Sequence, residues 1–233
     1  MLATTMGMAQ VAFAANPGPT ANTTALTVGM NAEEIVARMS RNNSMRASAL
    51  HGYESKRSYQ LIYQGFPSNR EAQLNVIAHY VAPESKSFDV VSASGSKALQ
   101  SKVFAKLLEG EKEAAHAENQ KDSALTTQNY VFTLLGSRPS PYGGCYRLKV
   151  EPRREEKFLY RGEVCVNAAD FAVESIDAEP AKNPSFWIKK TRIEHRYQKI
   201  GQFWFPASNQ TVTNVRLGGT ATLNILYSGY EVR

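Results

Sequence analysis

Alternation of residue character along the chain is the feature that most constrains its fold. Within Tyr53–Tyr63, Leu74–Ala82 and Lys86–Ser92, apolar or aromatic residues recur at every second position over most of each segment. A period of two residues is typical of a β-strand with one buried face. Turn segments with Gly or Pro, Gly65–Asn69 and Ala82–Ser85, separate the three strands. The first part of the chain is therefore predicted to be an antiparallel meander.

The alternation returns after a central interruption. It predicts further strands at Asn129–Leu135, Tyr142–Val150, Phe158–Asn167, Ala172–Ala178, Ile188–Lys199, Phe203–Leu217 and Thr220–Glu231. A twisted sheet of about ten strands tends to curl. We therefore expect a mostly β (α+β) fold, built on one large curved antiparallel sheet.

Two segments have helical character instead. Asn31 can cap a helix that has acidic residues in its first turn and ends near Arg41 or Ala49. Residues 97–127 form a helical insertion, with apolar residues at helical spacing in its first half. We expect these helices to cover the concave face of the sheet, within a single domain over residues 31–233.

The two cysteines, Cys145 and Cys165, lie on neighbouring predicted strands that fold back as a hairpin. When the hairpin is centred on Glu155, Cys145 lies opposite Cys165 and Arg147 lies opposite Glu163. Opposite charges that face each other across two strands support this register. It predicts a disulfide on the outer face of the sheet, and hence an oxidising compartment. Two free thiols are the alternative.

Residues 1–15 resemble the second half of a secretory signal. They are mildly apolar and end in small residues around Ala12, Ala14 and Ala15, but a basic start is missing. We interpret them as a signal-peptide-like segment with a truncated or misassigned start, followed by a flexible lead-in over residues 16–30. A disordered tail is the alternative. With the disulfide, this segment predicts a protein exported to the periplasm.

The net charge of +6 is spread along the chain rather than clustered. Nucleic-acid binding favours clustered basic residues together with exposed aromatic side chains. We therefore expect no nucleic-acid partner. A basic rim suits anionic lipid head groups or a membrane surface, and an ordinary solvated surface is the alternative.

Residues with catalytic or metal-binding chemistry are few. No two of the four histidines, His51, His79, His116 and His195, have metal-ligand spacing, and no known catalytic motif is present. A cysteine nucleophile with His195 as its base is disfavoured, because nothing in the sequence brings a base close. We expect no catalytic residue, metal or cofactor, and we expect His195 to be a partly buried residue of the sheet.

The concave face of a curved sheet must be filled by side chains, by a helix or by a ligand. Our candidate ligand-binding residues are Tyr59, Leu61, Val76, Tyr80, Phe88, Val90, Phe132, Leu134, Tyr146, Leu148, Val164, Trp187, Ile193, Tyr197, Trp204, Leu223, Ile225 and Tyr227. Taken singly, each is also explained as ordinary core beneath the helices. The prediction of a ligand therefore depends on the architecture and not on any one position.

Several stretches of this chain resemble one known superfamily. They are the helix after the signal-like segment, Tyr80–Phe88, Ser92–Lys97, Cys145–Pro152, Tyr160–Val166, Phe203–Pro206 and Tyr227–Tyr230. On these residues the chain is similar to the superfamily of the periplasmic lipoprotein carrier LolA, which includes the outer-membrane receptor LolB, the stress-sensing regulator RseB and the mycobacterial lipoprotein LppX. The resemblance implies an unclosed β-barrel with helices as a lid and an apolar cavity for acyl chains. Ala82 stands where the carrier has an arginine before the proline of an early turn, so the role of that arginine is not carried over.

These features together favour a periplasmic carrier or binding protein for lipids or lipoprotein acyl chains, acting as a monomer and without covalent chemistry. A membrane surface or a membrane-bound protein is a further expected partner. The alternative is a periplasmic regulatory or interaction module of the stress-sensor type, which acts through protein contacts. An enzyme is disfavoured, because the sequence shows no polar cluster for the cavity.

Overall fold

The computed structural model describes residues 29–183, 188–216 and 218–233. The signal-like segment and Trp187 lie outside these residues. The helical elements are α1 (Ala32–Ala49), α2 (Lys97–Leu99), a π-helical turn (Gln100–Phe104), α3 (Ala105–Ala115) and α4 (Ala117–Ser123). The strands are β1 (Gly52–Gly65), β2 (Arg70–Val81), β3 (Ser85–Gly95), β4 (Tyr130–Ser140), β5 (Gly143–Pro152), β6 (Tyr160–Asn167), β7 (Val173–Pro180), β8 (Ile188–Ile200), β9 (Phe203–Val215) and β10 (Gly219–Val232).

Helix α1 begins where the sequence predicts it. The Asn31 side chain accepts a hydrogen bond from the backbone N–H of Glu34 at 2.9 Å, and the Glu34 carboxylate accepts one from the Asn31 N–H at 3.1 Å. This reciprocal capping box satisfies two backbone donors that a helix start leaves free. The helix runs to Ala49, the later of the two predicted ends.

The ten strands form one antiparallel sheet that does not close. Its spatial order is β3-β2-β1-β10-β9-β8-β7-β6-β5-β4, so that β3 and β4 are the two edges. This confirms the predicted mostly β fold and its unclosed sheet. The segment from α2 to α4 connects β3 to β4 along the chain, and therefore links one edge of the sheet to the other.

Strand register places most of the predicted apolar residues on one face. Residues directly opposite each other in neighbouring strands project to the same side of a sheet. One such row crosses nine strands, from β2 to β4, through Leu74, Tyr59, Ile225, Asn209, His195, Ile176, Val164, Leu148 and Leu134. The row is apolar at both ends and polar at its centre, where Asn209 faces His195.

Helices cover the two ends of this face and form two separate hydrophobic cores. Under α1, Ile35, Val36 and Met39 are buried against the strands β4 to β7. At the other end, Phe104 of the π-helical turn is buried with residues of β1, β2 and β10. Among the described residues, no buried member of either core comes from β8 or β9, although Tyr197 of β8 packs against the core under α1.

The cysteine hairpin keeps its predicted faces but not its predicted register. Cys145 lies opposite Asn167, and Cys165 lies opposite Arg147, so the strands are displaced by two residues. A displacement of one residue would have turned every side chain to the other face, whereas a displacement of two preserves the faces. The prediction that Cys145 lies directly opposite Cys165 is therefore wrong. The hairpin loop is centred one residue later than expected, because a turn from Glu156 brings the buried Leu159 into the core.

Both predicted contacts are nevertheless present, as diagonal pairs. Cys145 and Cys165 form a disulfide with their Cα atoms 5.5 Å apart, which confirms the predicted pairing. Arg147 donates to both carboxylate oxygens of Glu163, from Nε at 2.7 Å and from Nη2 at 2.8 Å. Both cysteines are buried, so the disulfide lies on the outer face but not at the molecular surface.

Candidate functional site

A cavity of about 740 Å³ occupies the middle of the concave face, between the two cores. Strands β7 to β9 form its floor, and the last turns of α1, α3 and α4 form its sides. Its lining residues are Asn43, Arg46, Ala47, Leu50, Ala114, Ser123, Ala124, Leu125, Phe158, Tyr160, Ala172, Val173, Ile176, Ala178, Ile193, His195, Tyr197, Phe203, Trp204 and Phe205. The volume falls within the range of roughly 300–1,000 Å³ that is usual for small-molecule sites.

Several of the side chains that the helices present to the cavity are small. Helix α1 buries its large apolar residues in its first half, whereas Ala47 lies beside the cavity near its end. Helix α3 contributes Ala114, and Ala124 follows α4. The helices therefore flank the middle strands without filling the space above them.

The titratable groups on the cavity floor are neutral. Burial lowers the pKa of His195 to about 4; the charge of Glu111 opposes this shift and that of Arg196 adds to it. Burial also raises the pKa of Tyr197 to about 12 and raises that of Tyr160. At neutral pH the ring of His195 and the two phenols are thus uncharged, which suits an apolar ligand.

A buried ion pair holds α3 against the sheet beside the cavity. Arg57 of β1, with a side chain only 2% exposed, is bridged to the carboxylate of Glu111 on α3. Lys86 Nζ donates to the same carboxylate at 2.8 Å, and Tyr59 Oη donates to it at 2.9 Å. The Arg57 guanidinium also lies 5.2 Å from the centre of the Tyr227 ring. The negative charge of the Glu111 carboxylate is therefore compensated by the hydrogen bonds from these three donors.

The predicted ligand-binding residues within the described part of the chain fall into three groups: those that line the cavity, those that face one of the two cores, and those that do neither. Ile193, Tyr197 and Trp204 line the cavity. The others that face the cores are Phe132, Leu134, Tyr146, Leu148 and Val164 on the α1 side, and Tyr59, Leu61, Val76, Phe88, Leu223, Ile225 and Tyr227 on the α3 side. Outside both groups, Tyr80 stacks on Tyr53 at 5.3 Å, and Val90 is 60% exposed on the edge strand β3.

Sequence reasoning missed several of the residues that line the cavity. Phe203 and Phe205 line it together with Trp204, although strict alternation allows only every second residue on one face. The pairing of β8 with β9 shifts register between Arg196 and Tyr197, and such an irregularity changes which side chains a strand presents. The density of aromatic residues at Phe203–Phe205 was the signal that could have found them.

His195 is where the sequence predicts it, partly buried on strand β8. Its ring lies against Asn209 of β9. Cys145 and Cys165 are joined in the disulfide, so neither is a free thiol that His195 could activate. Within the described residues, no helix is both long enough and apolar enough to cross a membrane.

Comparisons with known proteins give structural likenesses only. No family model and no curated protein matches the sequence. A DUF1329 family protein from Desulfovibrio piger is 12% identical, with a TM-score of 0.40 over 85% of this chain and 91% of that one. A putative outer membrane lipoprotein-sorting protein domain from Vibrio parahaemolyticus is 9% identical, with a TM-score of 0.38 over 84% and 91%. A LolA superfamily protein from Nitrosomonas europaea is 10% identical, with a TM-score of 0.34 over 88% and 94%.

Proposed function

We propose that this protein binds ligands with long apolar chains, such as lipids or the acyl chains of lipoproteins, in the cavity of its concave face. The observation that carries this proposal is the cavity itself, with its apolar lining and its position between two cores that are already packed. Each buried methylene contributes about 0.8 kcal/mol. Roughly ten of them correspond to a dissociation constant in the micromolar range, before the cost of ordering the chain.

The disulfide supports a location outside the cytoplasm as part of this proposal. Disulfides persist in oxidising compartments such as the bacterial periplasm and are rare in the cytosol. A periplasmic carrier would have to admit and release its ligand. The helices α1, α3 and α4 border the cavity, and movement of any of them would widen it.

Filling the cavity tests this function. Ala114 lies on α3 beside the cavity, and Ala105 is exposed on the same helix. We expect Ala114→Trp to weaken the binding of a fluorescent fatty-acyl probe to delipidated protein by about tenfold or more, because the indole takes space that the chain needs. Probe titration and native mass spectrometry of co-purified lipid measure the effect.

The matched control for this test is Ala105→Trp, which adds the same side chain outside the cavity and is expected to bind like the wild type. Equal affinity in both variants would place the ligand elsewhere. A delipidated wild-type protein that takes up no acyl probe would overturn the proposal.

A second candidate function, a protein-interaction module, is favoured by the edge strand β3. Val90 and Val91 are 60% and 63% exposed there, and an extended segment of a partner can add to such an edge. If this is the function, a partner captured from a periplasmic extract should be lost with Val91→Lys and kept with Ala114→Trp. Loss in neither variant would contradict recognition at β3.

A further inference from the structure

Arg46 on α1 lies where the apolar cavity adjoins a smaller pocket. It lines the cavity of the concave face and also this second pocket, which has a volume of about 340 Å³. The other residues of the second pocket are mostly polar: Asn42, Met45, Asp170, Lys199 and Gln202. Trp204 of the cavity links the two spaces again, because its Nε1 donates to Asp170 Oδ2 at 2.9 Å. An acyl chain that enters the cavity from this pocket would have its head group beside Arg46.

The guanidinium of Arg46 has no carboxylate among its hydrogen-bond partners in the described part of the chain. It donates to the backbone oxygen of Asp170 at 3.1 Å and to Asn43 Oδ1 at 2.8 Å, and both acceptors are neutral. A guanidinium has five N–H donors, so these two contacts do not use all of them. Burial lowers the pKa of Arg46, and the charge of Asp170 only partly opposes this effect. A partly buried cation of this kind is stabilised by an anion that contacts it.

The charges around the cavity leave an excess of positive charge. The carboxylate that acts on Arg46, that of Asp170, already accepts a hydrogen bond from Lys199 Nζ at 2.8 Å. These three are the charged groups among the described residues that line the cavity or the second pocket, so the two cations and one carboxylate give a net charge of +1. The buried ion-pair cluster around Glu111 likewise has two cations for its one carboxylate. A negatively charged group on a ligand is therefore favoured at this end of the cavity.

We propose that Arg46 binds the anionic head group, a carboxylate or a phosphate, of an acyl lipid whose chain occupies the cavity. This inference rests on the proposed function, since it assigns a specificity-determining residue and a ligand class to that cavity. A guanidinium suits both anions, because two of its N–H groups can contact two oxygens at once. Lys199 lies in the same pocket and adds positive charge near the bound head group.

Two probes of one chain length test this inference: a fatty acid brominated on its chain and the methyl ester of that acid. Bromine quenches tryptophan fluorescence at short range, and Trp204 lines the cavity. Trp187→Phe leaves Trp204 as the only tryptophan, so quenching in this background reports a chain inside the cavity. At neutral pH we expect Arg46→Gln to weaken the binding of the acid about tenfold, because a charge-assisted contact is lost. Binding of the ester should not change.

Two further variants serve as controls. Arg46→Lys keeps the charge and should retain part of the affinity for the acid. Arg41 is exposed on the same helix and lines neither space, so Arg41→Gln removes the same charge and should bind both probes like its parent. Inorganic phosphate at the concentration of the acid should not displace it, because phosphate has no chain. Displacement by phosphate would indicate a site for free anions and would overturn the inference.

The outcomes separate this inference from the function on which it rests. If neither probe quenches Trp204, the proposed function fails. If both probes bind, and Arg46→Gln weakens neither of them or weakens both equally, the role of Arg46 is overturned while the cavity remains a binding site. A loss of affinity for the acid in Arg41→Gln as large as that in Arg46→Gln would indicate a general effect of charge, and would also overturn the inference.

Discussion

Replacing Glu111 with glutamine is expected to lower the free energy of unfolding by about 3–5 kcal/mol, which is the usual cost of breaking a buried ion pair by removing one partner. The variant leaves Arg57 and Lys86 near each other without the carboxylate that neutralises both. Arg57 cannot turn to water, because its side chain is 2% exposed and lies against Phe88 and Tyr227. Urea denaturation measures the loss, and amide exchange in α3 shows whether that helix separates first.

The matched control is Glu109→Gln on the same helix. Glu109 is 70% exposed and pairs with Lys112 one turn away, so this change is expected to cost no more than about 0.5 kcal/mol. Equal stability of Glu111→Gln and the wild type, with unchanged exchange in α3, would show that the bridge does not hold the helix.

The same bridge predicts how the difference depends on pH. Burial raises the pKa of Glu111, but the nearby Lys86 and Arg57 outweigh it and hold the pKa below its usual 4.5. The stability that the carboxylate adds is therefore present above pH about 4.5 and is lost as the pH falls further. The difference in the free energy of unfolding between the wild type and Glu111→Gln should therefore become smaller below pH about 4.5.

Removing the disulfide is the second large effect. The bond closes a loop between residues separated by 20 positions, and the loop-closure entropy of the unfolded chain then corresponds to about 3 kcal/mol. We expect the double variant Cys145→Ala with Cys165→Ala to lose about that much in urea denaturation. Single variants are less informative, because each leaves one buried thiol.

Reductant provides the control for the disulfide. The wild type unfolded and refolded with reductant should approach the double variant, and the double variant itself should not respond to reductant. A double variant as stable as the oxidised wild type would mean that the diagonal pair adds nothing beyond the hairpin in which it lies.

Local patterns in the sequence predict the elements well. The cap at Asn31, the alternation in Tyr53–Tyr63 and the helical spacing after residue 97 depend on neighbours within a few residues. They indicate a helix, a long strand and a helical insertion, and the structure has each of them. The same alternation also predicts which side chains of the cysteine hairpin face the core and which face outward.

Non-local details could not be read in the same way. The two-residue displacement of the hairpin depends on how Leu159 packs into the core. The sequence also gives no sign that Arg57 and Glu111 meet, because residues 54 positions apart are joined only by the folded insertion. The cavity lies where the helices stop short of the middle strands, and their relative positions are set by tertiary packing.

The last strand, β10, joins the two halves of the sheet, because it pairs with β1 on one side and with β9 on the other. Without Gly219–Val232, the sheet order β3-β2-β1-β10-β9 loses its link, and two separate meanders remain. Leu61 of β1 pairs with Leu223 of β10, which is 162 positions later in the chain. The single sheet therefore cannot form before β10 has been synthesised. Long-range pairing of this kind slows folding. It also means that a chain shortened before β10 cannot assemble the ten-stranded sheet.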